Sequence, residues 1–154
     1  MEGGLRVQYF ERARFEWHPE NARLPGFANL AKGDKLRLLV QLTRLGAPLA
    51  DAHGFAPRPV PPAGDAPGVT RYPQTGHTLG GAFKAFWQGN AGLTNFGYPL
   101  SEEVQEVSPT DSKRYTVQYL ERARFEWHPE NVGTPYEVLL GQLGSEGLAA
   151  RGCR

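Results

Sequence analysis

The chain has 154 residues and a mass of 17.0 kDa, enough for one ordinary domain or two small units. Seventeen Lys and Arg against sixteen Asp and Glu leave a net charge of +1, which rules out a strongly basic nucleic-acid face as the default reading. Nineteen Gly and thirteen Pro argue against a long helical bundle, and the single cysteine, Cys153, excludes both an intrachain disulfide and a Cys-rich zinc site.

The chain opens on Met1-Glu2-Gly3-Gly4, which has neither the basic nor the apolar stretch of a signal peptide. No run approaches the roughly 18 apolar residues of a membrane span. Next comes the segment 7–21, VQYFERARFEWHPEN, which returns at 117–131 as VQYLERARFEWHPEN. Fourteen of fifteen positions agree, and the one change is Phe10 against Leu120. Chance does not produce such agreement, so the segment was duplicated. Each copy runs into a Leu-rich stretch, Leu38 to Leu42 and Leu139 to Leu143, and the second arrives nine residues sooner. An insertion around Leu24 to Gly33 is therefore expected in the first copy. Its helix is expected over about Asp34 to Leu45.

From Pro57 to Pro73 six prolines fall in seventeen residues, a pattern that cannot pair at a sheet centre or continue a helix. An extended connector over 54–75 is expected. Thr78 then offers a helix cap, and Leu79, Phe83, Phe86 and Trp87 follow on one helical face. Gly89-Asn90-Ala91-Gly92 stops that helix, and Phe96 to Leu100 reads as a turn. Ser101-Glu102-Glu103 looks like a helix start, and Val104 to Val107 a short strand. Tyr115 to Trp127 is rich in β-formers but long for one strand, which predicts a hairpin turning at Glu121-Arg122. Thr134-Pro135-Tyr136-Glu137 has the form of a capping box with Pro at the first helical position, predicting a short helix over Val138 to Gly144. The resulting class is α+β, built of small tandem units, each helix–turn–hairpin–short helix. Only six residues precede the first hairpin, so its unit is expected to be incomplete. The expected divisions are 1–53, a partial unit; 54–75, the connector; 76–147, a complete unit; and 148–154, a tail.

The order Gly80-Gly81-Ala82-Phe83, Trp87, Gly92-Leu93, Phe96-Gly97-Tyr98-Pro99-Leu100 and Ser101-Glu102-Glu103 resembles the LGFP repeat of bacterial surface proteins. The aromatic hairpin from Tyr119 to Pro129 resembles that family's second half, and a variant with the same Phe-Glu-Arg-Ala-Arg-Phe-Glu core is attached to secreted bacterial hydrolases. The resemblance covers about 76–143 as a unit and 5–45 as a half. It implies a non-catalytic module, without a cofactor, at the cell surface or outside the cell, holding proteins to the wall.

Three sets of residues carry possible chemistry. Glu126 and His128, with Glu16 and His18 in the first copy, fall on one side of a strand, where a carboxylate beside an imidazole suits acid–base work. The alternative is that His128 and Glu130 tie the strand end to its loop. This is preferred, because no third partner is evident. Arg122 and Arg124, like Arg12 and Arg14, could clamp an anionic or polyhydroxylated ligand, or form an ion-pair ladder with the nearby glutamates. Among the aromatics, Phe83, Phe86, Phe125 and Trp127 are expected in the core. Tyr98, Tyr119 and Tyr9 are the candidates for sugar stacking, with hydroxyls reaching water. The expected partner is wall polysaccharide or a surface protein. Self-association is the alternative, in which one chain's helix covers the next chain's open hairpin. A hydrolase using Glu126 and His128 is the third and weakest reading.

Overall fold

A computed structural model describes residues 1–54 and 67–152 of the chain. The proline-rich stretch from Pro57 and the cysteine at 153 therefore lie outside the described residues, apart from the end of that stretch at 67–73. The architecture is mixed α and β, with three small antiparallel sheets. Among the described residues no helix is long and apolar enough to cross a membrane.

The first sheet is β1 (Arg6–Tyr9), β2 (Arg14–Trp17) and β3 (Val40–Leu42), in that order. The stretch between β2 and β3 holds two 3-10 turns and α1 (Lys32–Leu39). Helix α2 (Gly46–Ala52) follows. The two-stranded sheet pairs β4 (Thr70–Arg71) with β5 (Thr78–Leu79). Then come α3 (Gly81–Gly89) and the single turn α4 (Gly92–Asn95). The third sheet has the order β6 (Val104–Val107), β7 (Arg114–Tyr119), β8 (Arg124–Trp127), β9 (Val138–Leu140). Helix α5 (Leu143–Ala149) closes the described chain.

The two copies of the fifteen-residue segment pair identically. Tyr9 faces Arg14 and Gln8 faces Phe15; Tyr119 faces Arg124 and Gln118 faces Phe125. The third strand keeps this register, with Phe15 opposite Leu42 and Phe125 opposite Leu140. These pairings correct the alignment expected from the Leu-rich stretches. Phe15 to Leu42 spans 27 positions and Phe125 to Leu140 spans 15, so the insertion is twelve residues long. The extra length holds the second 3-10 turn (Phe27–Asn29) and α1, whereas the first turn (Pro19–Arg23) has its counterpart at Pro129–Asn131.

Several sequence expectations shift. Val138 to Leu140 is a strand and not helix, because its backbone completes the β8 edge. Thr134 to Glu137 forms a turn in which the Glu137 carbonyl accepts the His128 amide. Helix α5 starts only at Leu143. Thr78 and Leu79 are drawn out of the predicted helix into β5, and Leu79 is fully buried. Ser101 begins no helix; it is buried, and its hydroxyl oxygen accepts the Tyr119 amide. A boundary at residue 76 falls inside the β4–β5 hairpin, and Tyr72 packs near Trp87 and Tyr98.

The third sheet is covered on both faces. On one, Leu79, Phe83, Phe96, Leu120, Ala123, Phe125 and Val138 form a core between the strands and α3–α4. Phe125 stands edge-on to Phe86 and Phe96 at ring separations of 5.2 and 4.9 Å. On the other face α2, which follows the first hairpin in sequence, brings Ala50, Ala47 and Leu49 onto Tyr115, Val117 and Tyr119.

Candidate functional site

The site follows from how the two copies meet. Each hairpin loop receives the glycine-led helix that follows the other copy. The Gly46 amide donates to the Glu121 carbonyl at 3.1 Å, and the Ser145 amide donates to the Glu11 carbonyl at 3.1 Å. Arg44 pairs with the Glu121 carboxylate at 2.8 Å, and the Gln142 amide donates to the Glu11 carboxylate at 3.0 Å. Arg44 and Gln142 hold equivalent positions in the shared pattern Leu42-Thr43-Arg44-Leu45-Gly46 and Leu140-Gly141-Gln142-Leu143-Gly144, whereas the backbone donor shifts by one, from Gly46 to Ser145 just after Gly144.

Glycine is required at both helix starts by space. A Cβ on Gly46 would stand 1.8 Å from the Leu120 carbonyl oxygen and 2.9 Å from that of Ala123. One on Gly144 would stand 1.7 Å from the Phe10 carbonyl oxygen and 2.9 Å from that of Ala13. Leu45 and Leu143, just before the glycines, are both buried. The helices and hairpins thus exchange across a seam.

Most of the arginines that could hold a ligand are engaged inside the protein, Arg14 and Arg124 within their own halves and Arg12 across the seam. Arg124 is buried, and its guanidinium donates to Glu126 at 2.7 Å and to Glu146 of α5 at 3.0 Å. Burial works against its charge, but these two carboxylates outweigh burial and raise its pKa. Arg14 is bound likewise by Glu16, at 2.6 Å, and by Glu2. Arg12 donates to the Leu140 carbonyl across the seam and pairs with Glu11.

Tyr119 corrects the expectation of a hydroxyl in water. It is fully buried and donates to Glu106 at 2.8 Å; burial, then that hydrogen bond, raises its pKa. Arg124 is buried too, with its guanidinium directed to Glu126 and Glu146. Tyr9 donates to Glu2 at 3.0 Å beneath the Arg14 and Arg151 guanidinium groups. Tyr98 is half-buried beside Tyr72. Phe83 and Phe125 are buried as expected, whereas Phe86 and Trp127 are only partly so, Trp127 donating its indole N–H to Glu137.

The duplicated histidines serve their strand ends. His128 Nδ1 lies 3.0 Å from Glu130, its ring packs 4.1 Å from that of Tyr115, and Glu126 stands 3.8 Å from Nε2. His18 lies 2.7 Å from Glu20 and 3.3 Å from Glu16. The Glu20 hydrogen bond raises the His18 pKa against partial burial, and Glu16 adds to it. Among the described residues no group of three or more His, Cys, Asp and Glu is placed to hold a metal ion.

A pH prediction follows for the first hairpin. The folded His18 pKa lies above the unfolded value near 6.5, so its contribution is complete below about pH 6.5 and is lost as pH rises through the folded pKa. Burial pushes the Glu16 pKa up, but hydrogen bonds from Thr43, Arg14 and His18 outweigh it and leave the pKa lowered. Its contribution is therefore present above about pH 4.5 and is lost as pH falls through the folded value. A proton NMR titration of His18 should give a midpoint above 6.5; a midpoint at or below it contradicts the pairing.

One side of the seam is open. A groove of about 470 Å³ runs between β3 of the first sheet and α4, lined by Arg37, Gln41, Leu93, Thr94, Asn95 and Arg122, among others. Among the described residues no carboxylate lines it. Arg122 makes only long contacts there, 3.5 Å to the Leu93 carbonyl and 3.6 Å to Glu121. Of the seven residues proposed from sequence, Arg122 is the one this groove retains. Arg37 carries no local signal. It sits on a helix within the insertion, and only the fold brings it opposite a turn more than fifty positions away. Comparison with protein-family models, curated proteins and solved structures found no match.

Proposed function

We propose that the chain is a non-catalytic binding module of bacterial surface type, built of two repeat units. Its ligand is a hydroxyl-rich anionic polymer of the cell-wall class, held in the groove between Arg37 and Arg122. The observation that carries this reading is the contrast in charge. The guanidinium groups of Arg14 and Arg124 are held by carboxylates at 2.6 and 2.7 Å, whereas Arg37 and Arg122 face a groove that sets Gln41, Thr94 and Asn95 beside apolar side chains, and Arg122 has only a long contact, 3.6 Å, to Glu121. Guanidinium forks suit carboxylate and phosphate, and amide and hydroxyl groups suit sugar hydroxyls. The resemblance to a wall-associated repeat supports the same class of polymer.

The test is binding to an anionic polysaccharide, with a neutral glucan as control. Arg37→Ala combined with Arg122→Ala should weaken binding at least tenfold, since hydrogen bonds to charged groups contribute about 1.5–3 kcal/mol each. Added salt should weaken the parent chain as well. Equal binding by the parent and the double variant, or preference for the neutral glucan, contradicts the proposal.

A further inference from the structure

The two hairpins share fourteen of fifteen residues but not their surroundings. In the second copy Leu120 and Phe125 are 0% exposed and Val138 is 4% exposed, under the cover of α3 and α4. In the first copy Phe10 at the position of Leu120 is 45% exposed, and Val40 at that of Val138 is 39% exposed. Trp17 is 37% exposed on the same face. A hollow of about 320 Å³ lined by Gln8, Phe15, Trp17 and Val40 opens there.

The polar groups along this face point to what fits it. In the second copy the buried Gln118 side chain donates to the Thr78 and Ser101 carbonyls at 2.7 and 2.8 Å. The Tyr119 carbonyl accepts the Leu100 amide, and the Glu121 and Arg122 amides donate to the Tyr98 and Phe96 carbonyls. All these bonds run to the segment 78–101. The first copy repeats the same groups as Gln8, the Tyr9 carbonyl, and the amides of Glu11 and Arg12. Among the described residues none of these four groups is hydrogen-bonded, and the Gln8 side chain is exposed. The Tyr9 carbonyl points to the outer edge of β1, because Tyr9 and Arg14 form the non-bonded pair of the ladder.

We infer that the outer face and edge of the first hairpin form a docking site for a helix–turn segment with the chemistry of residues 78–101, supplied by another chain. Such a segment brings Phe83, Phe86 and Phe96 to the apolar face. It carries a single charge, Lys84, and so places no carboxylate against Phe15 and Trp17. Its turn presents main-chain carbonyls and an amide to Gln8 and the β1 edge, completing a hydrogen-bonding set already seen in this chain. A second copy of the chain is the poorer donor. It would have to strip 78–101 from its own hairpin, exposing as much apolar surface as it covered.

The test uses the full chain and a fluorescently labelled synthetic peptide of residues 78–101. Fluorescence anisotropy should show saturable binding. Gln8→Ala should weaken it about tenfold, through the loss of two buried hydrogen bonds. The Gln8 side chain is exposed and makes no hydrogen bond among the described residues, so this variant should keep the parent melting point. A peptide with Phe83 and Phe86 replaced by Asp should not bind. Absence of binding by the parent peptide, or equal binding by the Gln8→Ala chain, overturns the inference. Self-association of the free chain that Gln8→Ala abolishes would assign the face to a second copy and also overturn it.

Discussion

Phe125→Ala should lower stability by about 3–5 kcal/mol, and Phe15→Ala by only about 1 kcal/mol, although the two residues hold the same place in nearly identical segments. Phe125 is fully buried, with the rings of Phe83, Phe86 and Phe96 within 4.9–5.8 Å. Its truncation leaves a cavity that α3 and α4 cannot collapse into. Among the described residues Phe15 has one ring neighbour, Phe10 at 4.8 Å, and an open hollow beside it. A residue that is already partly exposed gives up less transfer free energy when shortened. Thermal denaturation should separate the variants by about 10 °C for a chain of this size. Equal losses would mean that the first hairpin is covered as the second is.

Gly46→Ala and Gly144→Ala should each cost about 3 kcal/mol, the upper end for over-packing. Neither added methyl fits, because each would meet a hairpin carbonyl oxygen below 2 Å. Backbone on both sides of the contact leaves no flexible side chain to yield. Ordinarily Ala is the better helix former by about 1 kcal/mol. A stabilising effect of either substitution would therefore show that the helix starts are free of the hairpin loops. Denaturant melts of both variants provide the measurement.

What the sequence made legible was local. Alternation of β-formers located both strands of the second hairpin and its turn at Glu121-Arg122, despite the lack of glycine there. The one-sided stripe of Phe83, Phe86 and Trp87 located α3. Strand β9 was not legible, because Val138-Leu139-Leu140 after Thr-Pro-Tyr-Glu has the local form of a helix start. Its partner, β8, lies beyond a loop, and pairing decided the outcome over propensity. Helix α2 begins on a glycine and carries Pro48, features that mask a helix when read alone. Its glycine answers to a carbonyl about 75 positions away.

The candidate site was legible in part. Arg12, Arg14, Arg122 and Arg124 stand among glutamates in the sequence, and an ion-pair ladder was the alternative to a ligand clamp. Arg14 and Arg124 follow the ladder, with carboxylates at 2.7 Å or less. Buried pairs of this kind set geometry more than they add stability. The burial of Tyr119 is not legible locally, because a tyrosine in a strand gives no sign that a helix from the other half of the chain will cover it. Arg37 was invisible for the same reason: its place in the groove depends on how β3 lies against α4.

The exchange of helices between the two halves is tested most directly by nuclear Overhauser contacts across the seam. The account predicts cross-peaks from Gly46 to Leu120 and Ala123, and from Gly144 and Ser145 to Phe10 and Glu11, at similar intensity. Spectra in which α2 and α5 contact only their own halves would contradict it.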